Sequence, residues 1–87
     1  MNELPIPDGA VGQEGALELL RVWAAQGAQH VSIATEVWKD PAAWGLMLVD
    51  LARHVAIAYS QTSGKDRQEV LKRIREGFDA EWSNATD

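Results

Sequence analysis

The feature that most constrains the fold is a helix-length, mostly apolar segment in the middle of the chain, residues 40–59. It opens with Asp40 and Pro41, and its interior carries three charged or titrating residues, Asp50, Arg53 and His54. At helical spacing these three lie along one side, so most of the remaining circumference is apolar. Such a helix has to be covered on most of its surface, and 87 residues supply few elements to do so. The segment therefore predicts how the protein is built and favours pairing with a second copy.

Two helices are predicted in the second half of the chain. The first spans residues 41–60, because Asp40 is a good capping residue and Pro41 fits a position that needs no N–H. The second spans residues 65–82, after a possible capping box formed by Ser63 and Asp66. The tryptophans of both helices are expected in the core. The apolar stripe of the second helix comprises Val70, Leu71, Ile74, Phe78 and Trp82.

A β-hairpin is predicted before the helices, although one of its strands has an ambiguous pattern. Residues 30–35 alternate in polarity as a strand does. Residues 17–25 fit either an amphipathic helix or a strand, and the need of the second strand for a neighbour favours the strand. The intervening residues 26–29 form a loop of hairpin length, in which Gly27 can adopt a positive φ.

The predicted fold class is α+β, in the order ββαα, with the hairpin packed on two antiparallel helices. Residues 1–15 contain Pro5, Pro7 and several glycines without periodicity, so a flexible N-terminal arm is expected there. A single domain is expected over residues 16–83, followed by a polar tail at 84–87.

Composition excludes several classes of function. The net charge is −5, and the basic residues 65–75 alternate with acidic ones, so neither nucleic acid nor an anionic membrane is an expected partner. The charges within residues 41–59 argue against a membrane span. The absence of cysteine excludes disulfides and thiolate zinc sites, and favours the cytoplasm. No cofactor is predicted, because the chain lacks a phosphate loop or dinucleotide fingerprint.

Several motifs together resemble a family of small proteobacterial proteins catalogued as a domain of unknown function. The most specific are Trp-Lys-Asp-Pro-Ala-Ala-Trp-Gly at residues 38–45 and Asp-Leu-Ala-Arg-His at residues 50–54. Shorter matches occur at residues 20–23, 30–33 and 77–82. The resemblance implies a compact α+β domain and supports the hairpin, and it implies no activity, substrate or catalytic residue.

The polar side of the first helix holds the candidate catalytic residues. Asp50 is spaced to reach both Arg53 and His54, and a carboxylate that orients an imidazole is part of many acid–base sites. No cysteine or serine motif supplies a nucleophile, so a structural polar stripe is the favoured interpretation. A metal site would need His30, His54 and Asp50 to meet, and their spacing predicts none.

The hairpin holds the candidate binding residues, Trp23, Arg21 and His30. In a hairpin these lie on the face opposite Val22 and Val31, so helices that cover the latter would leave Trp23 exposed. An exposed indole suits a partner protein or small ligand, and burial in a homodimer is the alternative. The sequence thus predicts a non-catalytic interaction or accessory module that forms a homodimer, with a ligand-binding or enzymatic domain using Asp50, Arg53 and His54 as the alternative.

Overall fold

The computed structural model describes residues 2–84, in which two strands precede two helices. The predicted α+β class and the order ββαα are confirmed. The chain divides into two units, Met1–Lys39 with the hairpin and Asp40–Asp87 with the helices. Packing of the hairpin on the helices stays a prediction, and the predicted polar tail lies, except for Asn84, outside the described residues. The elements are β1 (Leu20–Ala25), β2 (Ala28–Ile33), α1 (Ala42–Ser63) and α2 (Arg67–Trp82).

The first unit is built around an antiparallel hairpin in which β1 pairs with β2. The strand interpretation of the ambiguous run is therefore correct, although β1 begins at residue 20 instead of 17. The predicted four-residue loop is wrong, because Gln26 and Gly27 turn the chain alone, with φ of 54° and 73°. Two positive φ values at the central positions are the geometry of a type I′ turn, whose twist matches the flanking strands. This tighter turn starts β2 at residue 28 and ends it at 33, where 30 and 35 were predicted.

The segment before the hairpin is a series of turns held by backbone hydrogen bonds. Ala10 N–H donates to Pro7 O at 2.9 Å, and Gln13 N–H donates to Ala10 O at 3.2 Å. This segment lies in the same unit as the hairpin. The flexibility predicted for the arm stays a prediction.

The second unit begins with α1, which starts at Ala42, one residue later than predicted. The Asp40 carboxylate accepts a hydrogen bond from Ala42 N–H at 3.0 Å, with Pro41 at the cap position. The helix ends three residues later than predicted, at Ser63. Gly64 terminates it in the left-handed conformation, with φ of 71°, and its N–H donates to Ser60 O at 3.1 Å.

The start of α2 corrects the predicted capping box. Asp66 is itself the cap, and its carboxylate accepts from Glu69 N–H at 3.1 Å. Ser63 belongs to the preceding helix, where its hydroxyl donates to Tyr59 O at 2.7 Å. The helix therefore begins at Arg67, two residues later than predicted. With a connection this short, α1 and α2 form a helical hairpin in mutual contact.

The protein has little buried apolar surface. Among residues 2–84, Ala56 of α1 is the one buried hydrophobic residue, at 2% exposed. The prediction that Trp82 lies in the core is wrong: it is 79% exposed and stacks on Phe78, with ring centroids 5.6 Å apart. Trp44 is half-buried. The helix α2 is amphipathic, but α1 covers just part of the apolar stripe of α2.

Candidate functional site

The polar stripe of α1 forms one of the two contacts predicted for it. His54 Nε2 lies 3.3 Å from Asp50 Oδ2, one helical turn apart. Arg53 makes no ion pair with any residue in the described part of the chain. The side chains of Asp50 and His54 are 68% and 69% exposed, so the pair lies in solvent.

This geometry gives the stripe little capacity for catalysis. A carboxylate–imidazole pair gains its effect from a sheltered site next to a nucleophile or a bound substrate. A groove of the second unit lies beside the same helix, but its lining contains none of the three stripe residues. The stripe and the groove therefore do not combine into one site.

The exposure of the Asp50–His54 pair predicts a small contribution to stability. In a double-mutant cycle of Asp50→Asn and His54→Gln, we expect a coupling energy of about 0.3–0.5 kcal/mol, as for other exposed pairs at this helical spacing. Urea denaturation of the four proteins at one concentration measures it. A coupling energy of about 1.5 kcal/mol or more would mean that the pair is sheltered, and would restore the case for a functional site.

The three candidate binding residues lie on one face of the hairpin. Trp23 is directly opposite His30 across the strands, and Arg21 is on the same face two residues away. Arg21 is held by Glu18, which accepts from both Nε and Nη2 at 3.0–3.1 Å, and by Glu3. The hydrogen bonds and charge of Glu18, with a smaller effect from Glu3, raise the pKa of Arg21 above its ordinary value. With two carboxylates already on its guanidinium, Arg21 is poorly disposed to receive an anionic ligand.

Apolar side chains are exposed on the hairpin face opposite Trp23. Trp23 is half-buried, whereas Val22, Val31 and Ile33 of the opposite face are 48%, 44% and 52% exposed. The side of the hairpin with exposed apolar area is therefore the valine face. A binding role for Trp23 stays a prediction.

Neither a metal site nor a membrane span is found in the part of the chain that the structure describes. His30 and His54 belong to different units, and residues 2–84 bring together no group of three or more potential ligands. None of the described helices combines the length and the hydropathy that crossing a bilayer requires.

The helix that the sequence predicted to be apolar on most of its circumference carries an exposed apolar row, which we call the α1 seam: Leu48, Leu51, Val55 and Tyr59. Its members are 38–48% exposed. They are spaced by three, four and four residues, which is a helical contact period. The seam continues into the groove between α1 and α2, which has a volume of about 640 Å³. Lining the groove are Val55, Tyr59, Lys65, Asp66, Glu69, Val70, Arg73 and Ile74.

Comparisons with known proteins agree with the resemblance found in the sequence. A family model described as a domain of unknown function (DUF5076) matches residues 3–86, which confirms that resemblance. The chain is also similar to a solved structure from the photosynthetic bacterium Rhodopseudomonas palustrus CGA009, provisionally named a pyruvate dehydrogenase. The identity is 39% and the TM-score 0.76, over 100% of this chain and 88% of that chain. No significant match is found among curated proteins.

Proposed function

Because the chain belongs to the DUF5076 family, whose activity is unknown, we propose a function from its surface: a non-catalytic protein-interaction module. The observation that carries the proposal is the α1 seam, a row of four large side chains each left 38–48% exposed. Soluble proteins rarely leave contiguous apolar surface of this kind uncovered unless a partner binds it. The seam is therefore the proposed interface.

The charge distribution of α1 supports this assignment. Between Trp44 and Tyr59, the charged or titrating side chains Asp50, Arg53 and His54 fall on one side, which leaves roughly 260° of the circumference without charge. The helix α2 contacts α1, and Ala56, which lies within that sector, is buried. The seam is the remainder, and the interior of a protein interface is likewise depleted of charge.

The alternative of a ligand-binding or enzymatic domain has less support. Its candidate residues Asp50, Arg53 and His54 are exposed and lie outside the groove. The name of the similar structure belongs to that protein, and no arrangement among residues 2–84 of the present chain connects it to pyruvate. The cytoplasm is the proposed location, because small domains of oxidising compartments often depend on disulfides and this chain has no cysteine.

Thiol labelling tests whether a partner covers the seam, since the natural chain has no cysteine to interfere. Leu48→Cys reports on the seam. Leu46→Cys is the matched control, because Leu46 is 76% exposed and lies about 160° away around the same helix. In extract of the source cells, we expect the tagged Leu48→Cys chain to react with a maleimide at least tenfold more slowly than the control. At nanomolar concentration in buffer, the two rates should converge.

Two outcomes would contradict the interaction proposal. Equal labelling rates in the extract would mean that nothing covers the seam in the cell. Slow labelling of Leu48→Cys that persists in purified protein with a monomer mass would mean that the chain covers the seam itself. Unfolded protein provides the reference rate for each thiol.

A further inference from the structure

We propose that β2 continues its sheet into a second copy of this chain, with the free edges of two β2 strands paired antiparallel about a two-fold axis at Val31. The product is a four-stranded sheet in which each β1 is an outer strand. This edge belongs to the hairpin and not to the α1 seam. The inference therefore goes beyond the proposed interaction function and does not depend on it.

The register of the hairpin shows which backbone groups of β2 point away from β1. Ala34 N–H donates to Leu19 O at 3.0 Å, so these residues form one hydrogen-bonded pair of the ladder. Hydrogen-bonded pairs alternate with unbonded pairs along antiparallel strands, so His30 and Ser32 bond to β1. The intervening residues direct their N–H and C=O groups outward. These residues form what we call the β2 edge: Gln29, Val31 and Ile33.

The described chain, residues 2–84, supplies no strand for the β2 edge. The sheet of the first unit contains β1 and β2 alone. In the second unit, residues 42–63 and 67–82 are helical, and helical backbone forms its hydrogen bonds internally. A helix laid across the edge would bury the outward N–H and C=O groups without partners, which costs free energy. Extended backbone that completes this edge must therefore come from another molecule.

The β2 edge also lacks the features by which natural edge strands avoid pairing. Those features include charged side chains, proline and bulges. β2 contains no charged residue and no proline, and its register with β1 is continuous. Residues 22–35 are the longest stretch of the chain without Asp, Glu, Lys or Arg. β1, in contrast, carries Arg21 with its carboxylate partners Glu18 and Glu3. Of the two outer edges, that of β2 is the one open to pairing.

The β2 edge is complementary to a second copy of itself. With the axis at Val31, Val31 faces its own copy and Gln29 faces Ile33 of the other chain, so all three residues exchange hydrogen bonds. An axis at either neighbouring residue would leave one of the three opposite a residue outside the strand. The net charge of −5 opposes self-association elsewhere, but β2 brings no like charges together. These properties favour a second copy over a foreign strand.

The side chains match across the same axis. Val22 lies directly opposite Val31 in the hairpin, and the two are 48% and 44% exposed. Pairing at Val31 places these two valines and their copies in one row across the four strands, where β-branched side chains pack well. A lone two-stranded hairpin is marginally stable in water, whereas three or more strands with an apolar face are stable. The second copy supplies the missing strands.

Disulfide cross-linking of purified single-cysteine variants tests the edge and the axis, since the natural chain has no cysteine. Val31→Cys should form a linked dimer under mild oxidation, because hydrogen-bonded residues across antiparallel strands have Cα atoms about 5.5 Å apart. Val22→Cys is the matched control, on the same face but one strand further from the axis. Its two copies would be about 15 Å apart, beyond the roughly 7 Å that a disulfide tolerates. We expect Val31→Cys to cross-link at least tenfold faster.

Charge substitution at the axis tests the same contact without an oxidant. The natural chain should sediment with twice the mass of the chain at micromolar concentration. Val31→Lys and Val31→Glu should each sediment as monomers there, because like charges meet at the axis. An equimolar mixture of the two variants should regain the dimer mass, since opposite charges then face each other. Circular dichroism of each variant checks that the exposed substitution leaves the fold intact.

Several results would overturn the proposal. A monomer mass of the natural chain at every concentration tested rejects the second copy, and capture of Val31→Cys by another protein in extract would then place a foreign strand on the edge. Faster cross-linking of Val22→Cys would place the contact on β1, and equal rates would mean that apolar faces meet instead of edges. Charge variants that stay monomeric when mixed reject the axis at Val31. The labelling of Leu48→Cys tests the seam separately from all of these.

Discussion

Replacing Ala56 with aspartate is expected to destabilise the helical hairpin by about 3–5 kcal/mol, the range for an uncompensated buried charge. Ala56 is the one buried hydrophobic residue among residues 2–84, at 2% exposed. A carboxylate there loses its hydration, and no basic side chain of the described structure is paired with that position. Natural domains are stable by about 5–15 kcal/mol in total, and a chain with so little buried area is expected at the low end. Loss of the cooperative urea transition, followed by far-ultraviolet circular dichroism, is therefore the expected result.

The control for this substitution is Ala80→Asp in α2, where the alanine is exposed. It has the same change in charge and helix propensity, and its expected cost is about 1 kcal/mol from propensity and the nearby helix C-terminus. Both variants are compared at one protein concentration, because association contributes to the apparent stability of an oligomer. Equal costs at the two positions would show that Ala56 is not at a buried contact.

The second prediction is that one substitution, glycine to alanine, changes stability in opposite directions at two positions of the helical unit. Gly64 ends α1 with φ of 71°, a conformation that costs an alanine about 1 kcal/mol. Gly77 lies inside α2, where alanine is favoured by about 1 kcal/mol. A Cβ at either position would meet no atom within 4 Å, so steric contact does not confuse the comparison.

Thermal or urea unfolding of Gly64→Ala and Gly77→Ala measures the difference, which we expect to be about 2 kcal/mol between the two variants. The reason is purely conformational: the first position needs the left-handed region, and the second needs ordinary helix. A stabilised Gly64→Ala would mean that the connection between the helices does not require a positive φ. A destabilised Gly77→Ala would mean that another part of the assembly approaches α2 at that residue.

The course of the backbone was largely predictable from the sequence because its signals are local. Asp40 and Pro41 mark the start of α1, and the Asp40 carboxylate accepts the Ala42 N–H at that end. Gly27 marked the hairpin turn, although the tightness of the turn was missed, because the sequence did not indicate that Gln26 also adopts a positive φ. The start of α2 was misassigned because both Ser63 and Asp66 are able to cap a helix. Gly64 ends α1 directly after Ser63, so Asp66 is the residue that caps α2.

The candidate sites were less predictable, because spacing along a helix or strand says which residues share a face and not what covers it. Asp50 and His54 were correctly paired, but both side chains are exposed, so the pair lacks the sheltered environment of a catalytic site. Trp82 continues an apolar stripe but extends beyond the part of the stripe that is covered.

For this protein, the sequence by itself determined the order of elements, the start of α1 to within one residue, and the residues that face the same way on each element. Those properties depend on backbone preferences and on interactions within a few residues. Only the tertiary structure decided that Trp23 is half-buried, that the Val22 face is exposed, and that the α1 seam opens into a groove beside α2. Burial depends on contacts between elements distant in sequence, and the apolar periodicity of one element does not predict those contacts.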